Sequence, residues 1–271
     1  MSAEPIGLIA GAGRLPVLVA QGMRRAKRPV ICVGLRDNYD AGALSPLCDS
    51  LVPAGMTRPG KWIRTFRRAG VSDAVMVGGV TKSRMHDPFR VLRNLPDWRA
   101  IDLWYRKLRH DKRNATVLAA LADDLARHGV TLIDSTTYIP EHMASAGVHG
   151  RVQPTAQQQA DIDFGWPLLE RAVDIDIGQS MAVRDRDVIA VEAIEGTDRM
   201  IDRAGELCRT RGWTLLKTAK VDHDRRADVP TIGVATVERV AHAGGRCIVV
   251  GAGEVILVDR PKVIEVADRL G

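Results

Sequence analysis

Short apolar runs alternate with amphipathic stretches through the first half of the chain. Ile6-Gly7-Leu8-Ile9-Ala10 reads as a buried strand, Gly11-Ala12-Gly13 interrupts it, and a helical stretch follows to about Arg25. Residues 29–35 form a second strand-like run, and residues 61–68 are helical in character. Ala74-Val75-Met76-Val77 ends at Gly78-Gly79 like a third buried strand. Two helical segments follow, 88–109 (broken near Pro96) and 114–128, and a strand at 130–133 closes the half. Strands alternating with helices predict a parallel sheet covered on both faces.

The stretch 141–154 carries two glycines and two histidines without hydrophobic periodicity, and reads as a linker region. Beyond it the pattern changes. Residues 155–173 are helical, and 181–184 with 188–191 look like a hairpin around Asp185-Arg186-Asp187. A helix is expected from Thr197 to about Arg211, a strand at 213–217, and a helix over 231–243. Strands at 247–250 and 255–258 precede a last helix that holds Pro261 in its first turn. The predicted fold class is α/β: an N-terminal Rossmann-like parallel-sheet domain (1–145), a linker (146–154) and a second α/β domain (155–271).

Composition narrows the setting. No apolar run approaches the roughly 20 residues needed to span a bilayer. No basic segment followed by an apolar stretch and a cleavage site is visible at the N-terminus. Cys32, Cys48, Cys208 and Cys247 show no Cys-x-x-Cys spacing, which argues against a zinc ribbon or a disulfide framework. A cytoplasmic location is expected. The net charge of +6 has one source: residues 81–113 hold ten Lys/Arg against four Asp/Glu, while the remainder balances at 29 and 29. By halves, residues 1–150 hold 22 basic and 13 acidic residues, and residues 151–271 hold 17 and 20.

In the basic segment, Phe89, Leu92, Leu95, Trp98, Ile101, Trp104 and Leu108 recur every three to four residues among the cations. That spacing gives a helix with an apolar stripe. The stripe packs on the protein's own core in one reading and meets an anionic membrane surface in the other. No nucleic-acid-binding motif accompanies the charge, so no nucleic-acid partner is expected. The loop Gly11-Ala12-Gly13-Arg14-Leu15-Pro16 follows a strand and opens a helix, as a phosphate-binding turn does. Pro16 takes the place of the third small residue of a dinucleotide fingerprint, and Arg36 precedes Asp37 where an acid for a ribose hydroxyl belongs. A glycine turn and a nucleotide or phosphate site both remain open on these residues.

The second half concentrates chemistry. Acids crowd Asp174-Ile175-Asp176 and Val191-Glu192-Ala193-Ile194-Glu195-Gly196-Thr197-Asp198, where Thr197 or Asp198 could cap the following helix. Lys217 and Lys220 flank a small loop, and Asp222-His223-Asp224-Arg225-Arg226-Ala227-Asp228 leads into Val229-Pro230-Thr231-Ile232-Gly233. Phosphoryl transfer to water uses carboxylates, cations and a held nucleophile, and all are present. Caps and surface ion pairs would account for the same composition.

Five phrases point further: Gly-Leu-Ile-Ala-Gly-x-Gly-x-Leu-Pro at 7–16, Asp-Ile-Gly-Gln at 176–179, Val-Glu-Ala-x-Glu-Gly-Thr-Asp at 191–198, Lys-x-x-Lys at 217–220 and Asp-Val-Pro-Thr-Ile-Gly at 228–233. Together, and in this order over the whole chain, they resemble the LpxI family of UDP-2,3-diacylglucosamine pyrophosphatases. The resemblance implies two linked domains with the active site between them. It also implies Mg2+-dependent hydrolysis of UDP-2,3-diacylglucosamine to UMP and 2,3-diacylglucosamine 1-phosphate. The family's essential aspartate falls on Asp228, for metal binding or activation of water. Lys217 and Lys220 would neutralise the pyrophosphate. Gly11, Gly13, Gln179, Gly196, Thr197, Asp198, Thr231 and Gly233 enter as substrate-binding residues. In the loop before Asp228 this chain has Lys220-Val221-Asp222-His223 where the family often has Lys-Pro and a Gln. The reading that follows is a homodimeric hydrolase of a UDP-linked diacylated amino sugar at the inner face of the cytoplasmic membrane. The rivals are an NAD(P)-dependent oxidoreductase and a non-catalytic nucleotide- or lipid-binding regulator.

Overall fold

The computed structural model describes residues 3–79, 96–103, 105, 109, 114–220, 222–226 and 229–271. Asp228 and most of the basic segment 81–113 therefore lie outside the described residues. The chain divides into two compact units, Met1–Pro140 with Asp224–Asp228, and Glu141–His223 with Val229–Gly271.

The first unit is built on five parallel strands in the order β3-β2-β1-β4-β5. They are β1 (Ile6–Ala10), β2 (Val30–Leu35), β3 (Ser50–Ala54), β4 (Asp73–Val77) and β5 (Thr131–Leu132). Helices α1 (Leu15–Arg25), α2 (Ala41–Leu44), α3 (Pro59–Arg68), α4 (Trp98–Leu103) and α5 (Asn114–Arg127) lie among them in sequence. All five residues of β1 are buried, as a central parallel strand requires. On one face Ile9, Val33, Trp62, Phe66 and Leu125 form a continuous core. Strand β3 is absent from the sequence reading because Pro53 interrupts it; an edge strand tolerates the missing N–H.

Strand order reverses at β1, which pairs with β2 on one side and β4 on the other. A parallel sheet usually binds its ligand at such a switch point. Here the two strand-end loops meet each other. Ala12 N–H donates to Gly79 O at 2.7 Å and Gly79 N–H to Ala12 O at 3.1 Å. A Cβ on Gly11 would lie 2.6 Å from Gly78 O, so close backbone packing already requires that glycine. Gly13, at φ 95°, has open space beside it.

The second unit holds a four-stranded mixed sheet in the order β10-β8-β6-β7, from β6 (Ser180–Arg184), β7 (Asp187–Val191), β8 (Thr214–Lys217) and β10 (Cys247–Val250). Helix α6 (Ala156–Asp174), started by a Thr155/Gln158 capping box, packs Leu169 and Val173 against Met181, Val183 and Leu216. On the opposite face Ala182, Ala190 and Leu215 meet Met200 and Ile201 of α7 (Thr197–Leu207) and Val237 and Val240 of α8 (Val234–His242). The β6–β7 hairpin turns on Asp185 (φ 54°) and Arg186 (φ 58°), a left-handed pair that matches the strand twist.

The helix expected over 231–243 begins later. Thr231–Ile232 is strand β9, parallel to β11 (Ile256–Leu257), and Gly233 is the N-cap of α8. Part of the stretch expected as a linker is tied into the second unit. Ala144 N–H donates to Val255 O, and Arg151 N–H donates to Asp268 at 2.7 Å beside the last helix, α9 (Arg260–Leu270). Among the described residues no helix is long and apolar enough to cross a membrane.

If Gly11 serves packing, Gly11→Ala should lower unfolding free energy by about 2 kcal/mol through overpacking against Gly78. Urea denaturation checks this. Wild-type stability in that variant would show that the loop has room to relax.

Candidate active site

Strand β6 runs antiparallel to β7 and β8, and β8 runs parallel to β10. The start of β6 and the ends of β7, β8 and β10 therefore lie at one end of the sheet. Ser180 at the start of β6 is in register with Lys217 at the end of β8. The next residue after β7, Glu192, donates its N–H to Ser180 O at 2.9 Å. This end of the sheet gathers the polar residues.

Lys217 is only 6% exposed, and burying an ammonium demands hydrogen-bond acceptors. Its Nζ donates to Thr197 Oγ1 at 2.9 Å. Thr197 Oγ1 in turn donates to Glu192 Oε2 at 3.0 Å, and Ser180 Oγ donates to the same oxygen. A cation, two hydroxyls and a carboxylate thus form one connected array.

Thr197 does not cap its helix, contrary to expectation. Gly196 occupies the N-cap with φ 83°, and no side-chain cap bond is made. The positive φ suits glycine, and it leaves the Thr197 hydroxyl to join Lys217 with Glu192. The first N–H groups of α7 have no intrahelical acceptors, so the helix begins as a donor surface beside this array.

The loop after β8 adds a second cation. Lys220 is exposed, and its Nζ donates to Asp174 O at 3.2 Å. Its own carbonyl accepts from His223 N–H at 3.0 Å and lies 2.8 Å from His223 Nδ1. That nitrogen is also 3.3 Å from Glu254 Oε2. Glu254 N–H donates to Gly251 O, and Gly251 N–H to Lys217 O, so the turn is fastened to the end of β8. Among the described residues, His223 Nε2 and Glu254 Oε2 are buried and find no hydrogen-bond partner.

The remaining expected residues fall in different places. Gln179 joins the gathered group through its backbone, its carbonyl accepting from Thr218 N–H at 3.0 Å. Asp198 is exposed and sits 3.8 Å from Arg239, which Asp202 also binds, so it faces the contact of α7 with α8. Thr231 and Gly233 belong to the β9–α8 junction. Gly11 and Gly13 lie in the first unit. So does Arg225, just ahead of Asp228: Nε donates to Asp134 Oδ2 at 2.9 Å and Nη2 to Thr136 Oγ1 at 3.0 Å.

Glu192, Ser180, His223 and Glu254 were not among the expected site residues. Glu192 stood inside the 191–198 phrase and was legible there as an acid at a strand end. Ser180 and Glu254 gave no signal, because only sheet register and loop packing bring them in. Among the described residues no group of three or more His, Cys, Asp or Glu side chains gathers as a metal cage.

Comparison with known proteins divides the chain near residue 143. Residues 5–142 match the LpxI N-terminal domain and residues 145–271 the LpxI C-terminal domain. The UDP-2,3-diacylglucosamine pyrophosphatase LpxI of Caulobacter vibrioides is 33% identical over 276 residues, covering 98% of this chain and 95% of that protein.

Thr197→Val keeps the side-chain shape but removes the hydroxyl from between Lys217 and Glu192. It should cost about 1–3 kcal/mol in urea unfolding, since polar groups in a partly buried array lose a partner. Ser180→Ala in the Thr197→Val background should show a coupled, non-additive loss. Strict additivity would mean that the array does not act as a unit.

Proposed function

Because the chain belongs to the LpxI family, we propose that it hydrolyses the pyrophosphate of UDP-2,3-diacylglucosamine to UMP and 2,3-diacylglucosamine 1-phosphate. The observation that carries this reading is the array of Lys217, Thr197 and Glu192 beside the start of α7. A pyrophosphate diester is an anion, and catalysis of its hydrolysis is chiefly positioning and charge stabilisation. Lys217 supplies positive charge at a fixed point, because Thr197 holds its ammonium and Glu192 holds Thr197. Lys220 supplies a second cation from the adjoining loop. Backbone N–H groups at the start of α7 offer further donors to phosphate oxygens.

In the reaction, oxygen from water bonds to one phosphorus and the bridging P–O bond breaks. The bridging oxygen leaves on the other phosphate and takes up one of the water's two protons, while the second stays on the newly bonded oxygen until the monoester ionises. Asp228, which lies outside the described residues, is the carboxylate we assign to holding that water or a metal. The described residues do not by themselves form a Mg2+ cage, and Glu192 Oε2 already accepts from two hydroxyls. Mg2+ bound with Asp228 would add positive charge at the phosphates. We assign Gln179, Gly196 and Thr197 to contacts with the substrate's phosphates and sugar.

We place the enzyme at the cytoplasmic face of the membrane, as a homodimer in peripheral contact, because a sugar with two acyl chains resides in a bilayer. Trp98 and Ile101, both on the expected apolar stripe, are 80% and 40% exposed, which favours the membrane reading of the basic segment over burial in the core. Trp104 lies outside the described residues.

Incubation of the purified protein with UDP-2,3-diacylglucosamine and Mg2+ should release UMP, and EDTA should abolish the release. Asp228→Ala should lose turnover by orders of magnitude while still binding the UDP-sugar lipid. No UMP from the wild type would overturn the activity, and turnover near wild type in EDTA or in Asp228→Ala would overturn the metal or the residue assignment. Sedimentation with vesicles should show binding to anionic but not neutral lipid, weakened by salt. Binding indifferent to lipid charge and salt, or none at all, would remove the membrane contact.

A further inference from the structure

Residues 50–72 hold five Lys/Arg and no Asp/Glu, and nothing in the proposed hydrolysis uses these cations. The segment forms the edge strand β3 and helix α3, and between the two lies a cleft of about 490 Å3. Side chains alternate along a strand, so Ser50 and Val52 share one face of β3, and both line the cleft. Lys61, Arg64, Thr65 and Arg68 follow one another on α3 at three- and four-residue intervals and make the facing wall. Trp62, Ile63 and Phe66 of the same helix are buried in the core, which fixes this stripe in place. Ile31 of β2, in register with Ser50, completes an apolar floor with Val52.

The three cations meet no counter-charge in the cleft. Among the described residues that line it there is no carboxylate. Lys61 Nζ donates to Pro53 O at 2.7 Å, which leaves two of its three N–H groups. Arg64 and Arg68 are exposed, and among the described residues their side chains have no hydrogen bond or ion pair. Two acids on adjoining segments are engaged elsewhere. Asp49 Oδ2 accepts from Arg24 Nη1 at 2.9 Å and from Val30 N–H at 2.8 Å. Asp97, just ahead of α4, accepts from Gly60 N–H at 2.7 Å and from Ala100 N–H at 3.0 Å.

We propose that the cleft between α3 and β3 binds a soluble oligophosphate, as inorganic pyrophosphate or the phosphate chain of a nucleotide, among Lys61, Arg64 and Arg68.

Charges of one sign in a cleft with a low-dielectric floor focus their field and concentrate counter-ions. Guanidinium groups match phosphate oxygens with paired N–H donors, and lysine adds a point charge. Lys61 and Arg68 are separated by roughly 10 Å along the helix axis, a span that suits linked phosphates better than a single one. The hydroxyls of Ser50 and Thr65 offer further donors. A bilayer is the poorer fit. Ile31 is 9% exposed and Val52 half-buried, so the cleft presents no protruding apolar side chain to lipid.

The test uses the full chain without Mg2+, at constant ionic strength. Lysine acetylation read by mass spectrometry should show Lys61 protected by millimolar inorganic pyrophosphate, while exposed Lys262 reacts at an unchanged rate. Protection at Lys61 reports this cleft and not the Lys217 array, which belongs to the second unit. From the concentration dependence of that protection, Arg64→Ser and Arg68→Ser should each bind about tenfold more weakly, the worth of one hydrogen bond to a charged group. Both positions are exposed on α3, so the variants should unfold in urea as the wild type does. Sulfate should protect far less than pyrophosphate. Vesicles of anionic phospholipid should sediment the Arg64→Ser/Arg68→Ser double variant as well as the wild type. Acetylation of Lys61 indifferent to pyrophosphate, equal protection by sulfate, or protection undiminished in the double variant would overturn the proposal. Loss of vesicle binding in the double variant would assign these cations to a lipid surface and overturn it likewise.

Discussion

Burying the ammonium of Lys217 at the end of β8 is the constraint on which the second unit's site depends. A cation so far removed from water needs acceptors at fixed positions. Thr197 can provide one because Gly196, at φ 83°, turns the chain into α7 without using the hydroxyl as a cap. The hydroxyl can donate onward because Glu192 stands at the end of β7, and Ser180 shares that carboxylate because β6 runs antiparallel to both neighbours. Sheet register, hairpin and helix start thus converge on one side chain. The cation held there is suited to a phosphate anion, which is the chemistry of the family to which the chain belongs.

The first unit treats its strand ends differently. Where the order of parallel strands reverses, the space between β1 and β4 is taken up by backbone: Gly11 packs on Gly78, and Ala12 pairs with Gly79. The departure from a dinucleotide fingerprint at Pro16 agrees with this, because the loop serves contact between strands as well as any ligand. At the edge of the sheet, β3 returns parallel beside β2.

The loop between Lys220 and His223 shows how one backbone group can organise several side chains. Its turn is closed on the Lys220 carbonyl by two groups of His223, and Glu254 stands beside the ring. Glu254 is tied through Gly251 to Lys217, so both lysines are referred to the same strand end. Arg225, a few residues on, is fixed in the first unit by Asp134 and Thr136.

Hydrophobic periodicity by itself determined the parallel α/β character of the first half, the β6–β7 hairpin and most helices, because these follow from local patterns of burial. It missed β3, whose Pro53 is tolerated only at a sheet edge, and it ran the 231–243 helix through a strand that exists only by pairing with Ile256–Leu257. Lys217, Thr197 and Gln179 were legible from their phrases, and the structure gathers them. Asp198 was legible too, yet it turns to Arg239, because a helix places consecutive residues on different faces. The places of Ser180 and Glu254 were decided by tertiary structure alone. Their chemistry depends on register between strands and on packing between loops distant in sequence, and no local pattern of residues encodes such distances.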